Sequence, residues 1–206
     1  MKRFVCFIFV GLLFGTLNSA QADLNTVGGS LWHVPEATAD WAVPANIPAT
    51  TPDVTFSVHS PLNFSATDAT VGAWLTSGGA FGVVENTSGT LASLMDDWTT
   101  GSLVEFTGFV TVTTGQTFTV THDDGLTLII GGVDLGFNPG PTAPVTHLAT
   151  YTGPSGNFPF ELVYAEGHRG PAVLQVDLPF TAVPVPGAFL LGSLGLGFAT
   201  WRLKKA

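Results

Sequence analysis

The chain predicts an all-β protein, an antiparallel β-sandwich or barrel, and three observations carry that expectation. Apolar–polar alternation recurs in short runs through the second half. Turn chemistry rich in Gly, Pro and Asp separates those runs, and no long stretch repeats at the helical period. Strands do not alternate with crossover helices, which removes the parallel α/β classes.

Taken in order, Trp32-His33-Val34-Pro35 and Trp41-Ala42-Val43-Pro44 read as an irregular lead-in covering the sandwich. Residues 53–58 form the first clear strand, and residues 66–75 and 91–98 are short helices or loops. Residues 103–112 alternate as a strand, Thr113-Thr114-Gly115 turns the chain, and residues 116–122 are expected to return as the hairpin partner. Asp124-Gly125 marks another tight turn before the strand 126–130. Two further strands follow at 159–164 and 172–178, and Phe56, Phe106, Phe118, Phe160 and Tyr164 are the expected core aromatics.

The ends read differently from the body. Met1-Lys2-Arg3, an apolar run to Leu17 and the A-x-A site Ala20-Gln21-Ala22 have the three parts of a secretory signal peptide, assigned to residues 1–22. Near the other end, Pro184-Val185-Pro186 breaks the backbone before an apolar run ending at Trp201. Arg202, Lys204 and Lys205 then close the chain. As a helix that run spans only about 23 Å, short of a hydrocarbon core of about 30 Å, so it is a marginal anchor. Its basic end places the body on the far side of the membrane.

Residues 183–206 resemble the PEP-CTERM/VPLPA-CTERM sorting signals of Gram-negative bacteria, with Val185 where the Pro-Glu-Pro form has Glu. The resemblance implies export through the Sec pathway and transient anchoring in the inner membrane. Exosortase would then process the tail, and the body would reach the cell surface or an exopolysaccharide-rich extracellular matrix such as a biofilm.

Residues 23–182 remain as one domain of about 160 residues, enough for a real core. All 15 acidic residues lie there with Arg169 as the only Lys or Arg, a formal charge of −14. Nucleic acid is excluded as a partner, because nothing would neutralise its phosphates. Divalent cations and neutral sugars stay open. Cys6, the single cysteine, falls in the signal segment, so the body relies on packing and not on disulfides.

Residues 117–132, with His122-Asp123-Asp124-Gly125 at their centre, resemble the central hairpin of PA14-like β-sandwich domains, a jelly-roll type of fold. Residues 161–176 resemble that family's paired closing strands around an acidic loop. In sugar-binding members an adjacent Asp pair holds calcium, which in turn coordinates sugar hydroxyls, and the matching positions are Asp123 and Asp124. Two carboxylates with loop carbonyls suit a hard cation. The same two residues also suit a plain turn in which the Asp side chain caps its own backbone. Asp134, Asn138 and Glu166 are further oxygen donors that could approach this loop.

Glu166-Gly167-His168-Arg169-Gly170 is the second loop of interest. Glu166 and Arg169 are candidate ligand contacts, and the alternative is a solvated turn with Arg169 paired to a carboxylate. The five histidines lack zinc spacing and no G-x-S-x-G motif occurs, so no active site is expected. The expected function is non-catalytic, glycan binding with calcium. A purely structural matrix component and a polysaccharide hydrolase using Glu161, Glu166 or Asp97 are the alternatives.

Overall fold

The computed structural model describes residues 26–178. The signal segment with Ala20 and Ala22, the sorting tail, and the domain limits at 23 and 182 lie outside the described residues. Among the described residues no helix is long and apolar enough to cross a membrane.

The strands are β1 (Thr26–Pro35), β2 (Val54–His59), β3 (Leu62–Thr67), β4 (Phe81–Glu85), β5 (Thr100–Val112), β6 (Thr117–His122), β7 (Leu126–Ile130), β8 (Val133–Asp134), β9 (Val145–Thr150), β10 (Gly156–Glu166) and β11 (Pro171–Val176). Two short helices, α1 (Glu36–Ala39) and α2 (Val71–Ser77), complete the described elements apart from single 3₁₀ turns. The strands form a seven-stranded sheet, β4-β2-β1-β5-β10-β7-β8, and a four-stranded sheet, β3-β11-β6-β9. Every pairing is antiparallel. The expected sandwich is therefore present.

Three expected hairpins are not. β5 pairs with β1 and β10, whereas β6 pairs with β11 and β9. The turn at Thr113–Gln116 thus arches between the sheets. Gly115 N and Tyr151 N cross-bond to Tyr151 O and Gln116 O, tying this arch to the strand end opposite. The same holds for β6 to β7 and for β10 to β11, so the closing strands are not paired with each other. The physical reason lies in burial. Val104, Phe106, Val110 and Val112 face Phe118, Val120 and His122 across one core, and a strand alternates identically whether its neighbour lies beside it or opposite.

Trp32-His33-Val34-Pro35 is likewise no lead-in. It ends β1, a central strand held between β2 and β5. Its signal was blurred because both faces of β1 are covered. Val27 and Leu31 point into the main core, while Trp32 and Val34 join Ala39, Ala42, Leu103, Val163 and Ala165 in a second cluster on the outer face. α1 and the following loop form that outer cover.

Main-core packing is aromatic. The five expected core aromatics are all buried, and Phe64, Trp74 and Tyr151 join them. Phe56 meets Phe64 and Phe106 edge-on at centroid distances of 6.4 and 5.7 Å. Gly29 on β1 exists to admit that ring, since a β-carbon there would overlap Phe56. Phe56 is closed in by its two aromatic neighbours and cannot swing aside. Gly29→Ala is therefore expected to cost about 1–3 kcal/mol by overpacking, read as a lower denaturant midpoint at unchanged slope.

Candidate cation and ligand site

Two arches, β6 to β7 and β10 to β11, meet at one end of the sandwich. The first carries His122, Asp123, Asp124 and Gly125, and the second carries Gly167, His168, Arg169 and Gly170. Gly125 itself is packed against two other loops, where a β-carbon would overlap the Pro139 carbonyl and lie 2.9 Å from Ala42 Cβ.

Asp124 is the fastener. Its Oδ2 accepts the Gly167 amide at 2.8 Å and its Oδ1 the Thr142 amide at 3.3 Å, so one carboxylate ties three segments together. His122 Nδ1 lies 2.6 Å from the Asp124 carbonyl. A carbonyl can only accept, so Nδ1 carries the proton, and Nε2 is left buried without a partner. Asp123 N donates to Val173 O, which fixes the pair to the start of β11.

Glu166 ends β10 with its Oε2 accepting the Tyr164 hydroxyl at 2.6 Å. Asp96 reaches the corner from the segment before β5. Its Oδ2 accepts the Arg169 amide in a short hydrogen bond, and its Oδ1 accepts the Trp98 amide at 2.9 Å. Asp96, Asp123, Asp124 and Glu166 are all buried.

Cations do not balance them. Arg169 directs its guanidinium to Asp68 at 3.9 Å, a surface pair worth about 0–1 kcal/mol. His168 sits between Glu36, at 3.2 Å, and Asp40, at 2.7 Å. Burial lowers the His168 pKa, but the Asp40 hydrogen bond and nearby carboxylates outweigh it and raise the net value. Burial, then the charge of Asp124, pushes Asp123 up to about 6. Burial also raises Asp124, although the Gly167 and Thr142 amides work against it. Glu166 is pushed up to about 9, chiefly by burial, with the charges of Asp124, Asp123 and Asp96 adding to it.

Strain gathers at the same place. The non-glycine residues with positive φ among the described residues are Asp68, Trp98, Asp124, His168 and Arg169, and all five surround this corner. Each such backbone persists only where its surroundings over-determine it. Beside the Asp pair opens a pocket of about 380 Å³ lined by Asp123, Asp124, Thr142, Pro144, His168 and Arg169 among others.

The sequence-predicted residues therefore sort clearly. Asp123, Asp124, Glu166 and Arg169 come together, and Asp123, Asp124 and Arg169 line the pocket, whereas Glu166 is turned inward to Tyr164. Asp134 lies on β8 at the sheet's outer edge, where it caps the Gly136 amide. Asn138 supplies its carbonyl to Leu126 N and its side chain to its own turn at Gly140. Glu161 lies beside Glu105, whose carboxyl is raised by burial and by that neighbour. Five strand residues, about 17 Å, separate Glu161 from Glu166, beyond either separation that glycoside hydrolysis requires. Asp97 is exposed and caps Thr99 and Thr100. Asp96 carries no motif or spacing that would set it apart from its exposed neighbour Asp97, and only its contact with the Arg169 amide brings it to the site.

The donor set fits a hard cation. It offers the carboxylates of Asp123 and Asp124 and the Thr142 hydroxyl, with no thiolate, and Asp123 is raised by burial and then by the charge of Asp124. Among the described residues no group of three or more His, Cys, Asp or Glu side chains is arranged to hold a metal, so the other ligands would be carbonyls, hydroxyl or water.

No protein-family model matches the chain, and no curated protein matches it. Solved structures do. The PA14 sugar-binding domain from an RTX adhesin is similar at 20% identity and a TM-score of 0.52, covering 75% of this chain and 89% of that one. The PA14 domain of the MpAFP antifreeze protein is similar at 18% identity and a TM-score of 0.50, covering 78% and 83%. At such identity the likeness defines the fold: the described body is a PA14-like β-sandwich.

Proposed function

We propose that this chain is an exported, C-terminally sorted bacterial surface or extracellular-matrix protein whose PA14-like body binds glycans through calcium and catalyses nothing. The observation carrying this reading is the buried Asp123–Asp124 corner, anchored by two backbone amides, short of cations and open to a pocket of sugar size. Asp123 and Asp124 would hold the ion, and the ion would supply coordination sites for vicinal hydroxyls. The fold it shares with a sugar-binding adhesin domain supports the same reading. The sorting pattern at 183–206 and the signal pattern at 1–22 support export, exosortase processing and a matrix destination.

The non-catalytic part rests on geometry. The cavity in which acidic residues crowd most densely, lined by Asp68, Asp96 and Glu166, holds only about 10 Å³, too small for a sugar ring. The glutamates Glu161 and Glu166 stand too far apart to act as a pair on one glycosidic bond.

Melting of the full chain in millimolar calcium and in EDTA tests the site. Calcium at a hundredfold excess over its dissociation constant should add about 2.7 kcal/mol, or roughly 5–10 °C. Asp124→Asn keeps one acceptor oxygen and should abolish the shift, as should Asp123→Asn, whose side chain fastens less. Equal melting of the wild type in calcium and EDTA would leave the corner a structural turn.

A further inference from the structure

Two of the most exposed large apolar side chains stand on segments bonded to the pocket's residues, and neither belongs to its wall. Trp41 is 55% exposed and Trp98 is 58% exposed, in a body whose other described tryptophans, Trp32 and Trp74, are buried. Exposing two indoles forgoes substantial burial, so their shared location calls for an explanation.

Both are held in place by the residues that build the site. Trp98 stands at φ 73, with its amide on Asp96, and the other oxygen of Asp96 grips the Arg169 amide. Trp41 follows Asp40, which holds His168, and its ring edge lies against Gly140, next to the pocket residue Pro141. The Trp41 carbonyl accepts Asn46 Nδ2 at 2.9 Å, and the amide of the following Ala42 donates to Pro139 at 2.8 Å, so this loop is fixed. α1 spans the gap between them, since Glu36 N bonds Thr99 O at its start and Asp40 closes its end. The contacts therefore run from Trp98 through Thr99 to α1, which holds His168 at both ends, and on to Trp41.

We infer that Trp41 and Trp98 are stacking platforms flanking the pocket, and that the ligand is a neutral linear oligosaccharide chain, not a single terminal sugar. This rests on the glycan reading of the Asp123–Asp124 pocket and extends it. A pyranose has one apolar C–H face and a polar rim. Flat, exposed indoles match the face, and between them Asp40 keeps one carboxylate oxygen outside its bond to His168 as an acceptor for the rim. The body's formal charge of −14 selects against anionic polymers.

The test is a panel of neutral gluco-, manno- and galacto-oligosaccharides from one to seven units, titrated in millimolar calcium against the full chain, Trp41→Ala and Trp98→Ala. Wild type should bind longer chains more tightly than the monosaccharide. Each alanine variant should lose roughly three- to tenfold affinity for the long chains. Each should keep wild-type monosaccharide affinity and the calcium melting shift, and Trp98→Phe should restore most of the loss. Length-independent binding, or unchanged affinity in both variants, overturns the platforms while the pocket stands. Loss of the monosaccharide as well would make the indole part of the pocket and overturn its flanking role. A wild type that binds no sugar on the panel, with or without a calcium shift, overturns the glycan reading and the platforms with it.

Discussion

Trp74→Ala is expected to lower the unfolding free energy by about 3–5 kcal/mol, the largest single-residue loss in the body. Trp74 comes from α2 and is fully buried between the sheets. It stacks on Phe64 of β3 at 4.2 Å and 17°, and on Tyr164 of β10 at 5.7 Å and 3°. One ring therefore joins a strand of each sheet, and its removal leaves a cavity that rigid strands cannot close. The site should feel the loss, because the hydroxyl of Tyr164 holds Glu166. Trp74→Phe separates packing from polarity. The indole Nε1 is buried without a hydrogen-bond partner, so Phe removes an unsatisfied donor and should recover a good part of the alanine loss. Urea melts of the three proteins check this; equal losses for Ala and Phe would mean that a phenyl ring recovers none of the packing between the sheets.

How much of this was legible depends on which forces leave a local trace. β2, β5, β6, β7, β10 and β11 were legible because alternation and turn residues are local properties. Partner choice is not local. His122 to Leu126 looks the same whether the chain folds back or crosses the sandwich, and only the packing of Phe118 and Val120 against Phe106 decides it. β1 was hidden for another reason: a second cluster under α1 buries Trp32 and Val34, so strict alternation fails where both faces are covered.

The site divides along the same line. Asp123 and Asp124 were legible as a motif, and Glu166 and Arg169 as a loop rich in charge. Asp96, Asp40 and the two exposed tryptophans come from irregular segments distant in sequence. Their roles arise from single contacts, Asp96 to Arg169 and Asp40 to His168, which no spacing encodes.

The buried carboxyls of the same corner set the second large expectation, that the protein in EDTA loses stability as pH rises. Glu166 ordinarily titrates near 4.5 and is pushed up to about 9 in the fold, and Asp123 from 3.8 up to about 6. A raised carboxyl pKa means the folded state binds its proton more tightly than the unfolded chain does. The associated stability is complete below the unfolded value and declines as pH climbs through the folded one. For Glu166 that window runs from about pH 5 to pH 9 and involves on the order of 5 kcal/mol. His168, also raised, declines in the same direction. These groups share one corner, so the decline belongs to the cluster and not to one proton. Unfolding in EDTA from pH 5 to pH 9 should therefore slope steadily downward, whereas calcium, by supplying positive charge, should flatten it. Glu166→Gln keeps an oxygen for the Tyr164 hydroxyl and removes the charge. It should be more stable than wild type above pH 7 in EDTA, with most of the slope gone. A variant that declines as steeply as wild type would mean that Glu166 is not the group whose ionisation strains the corner.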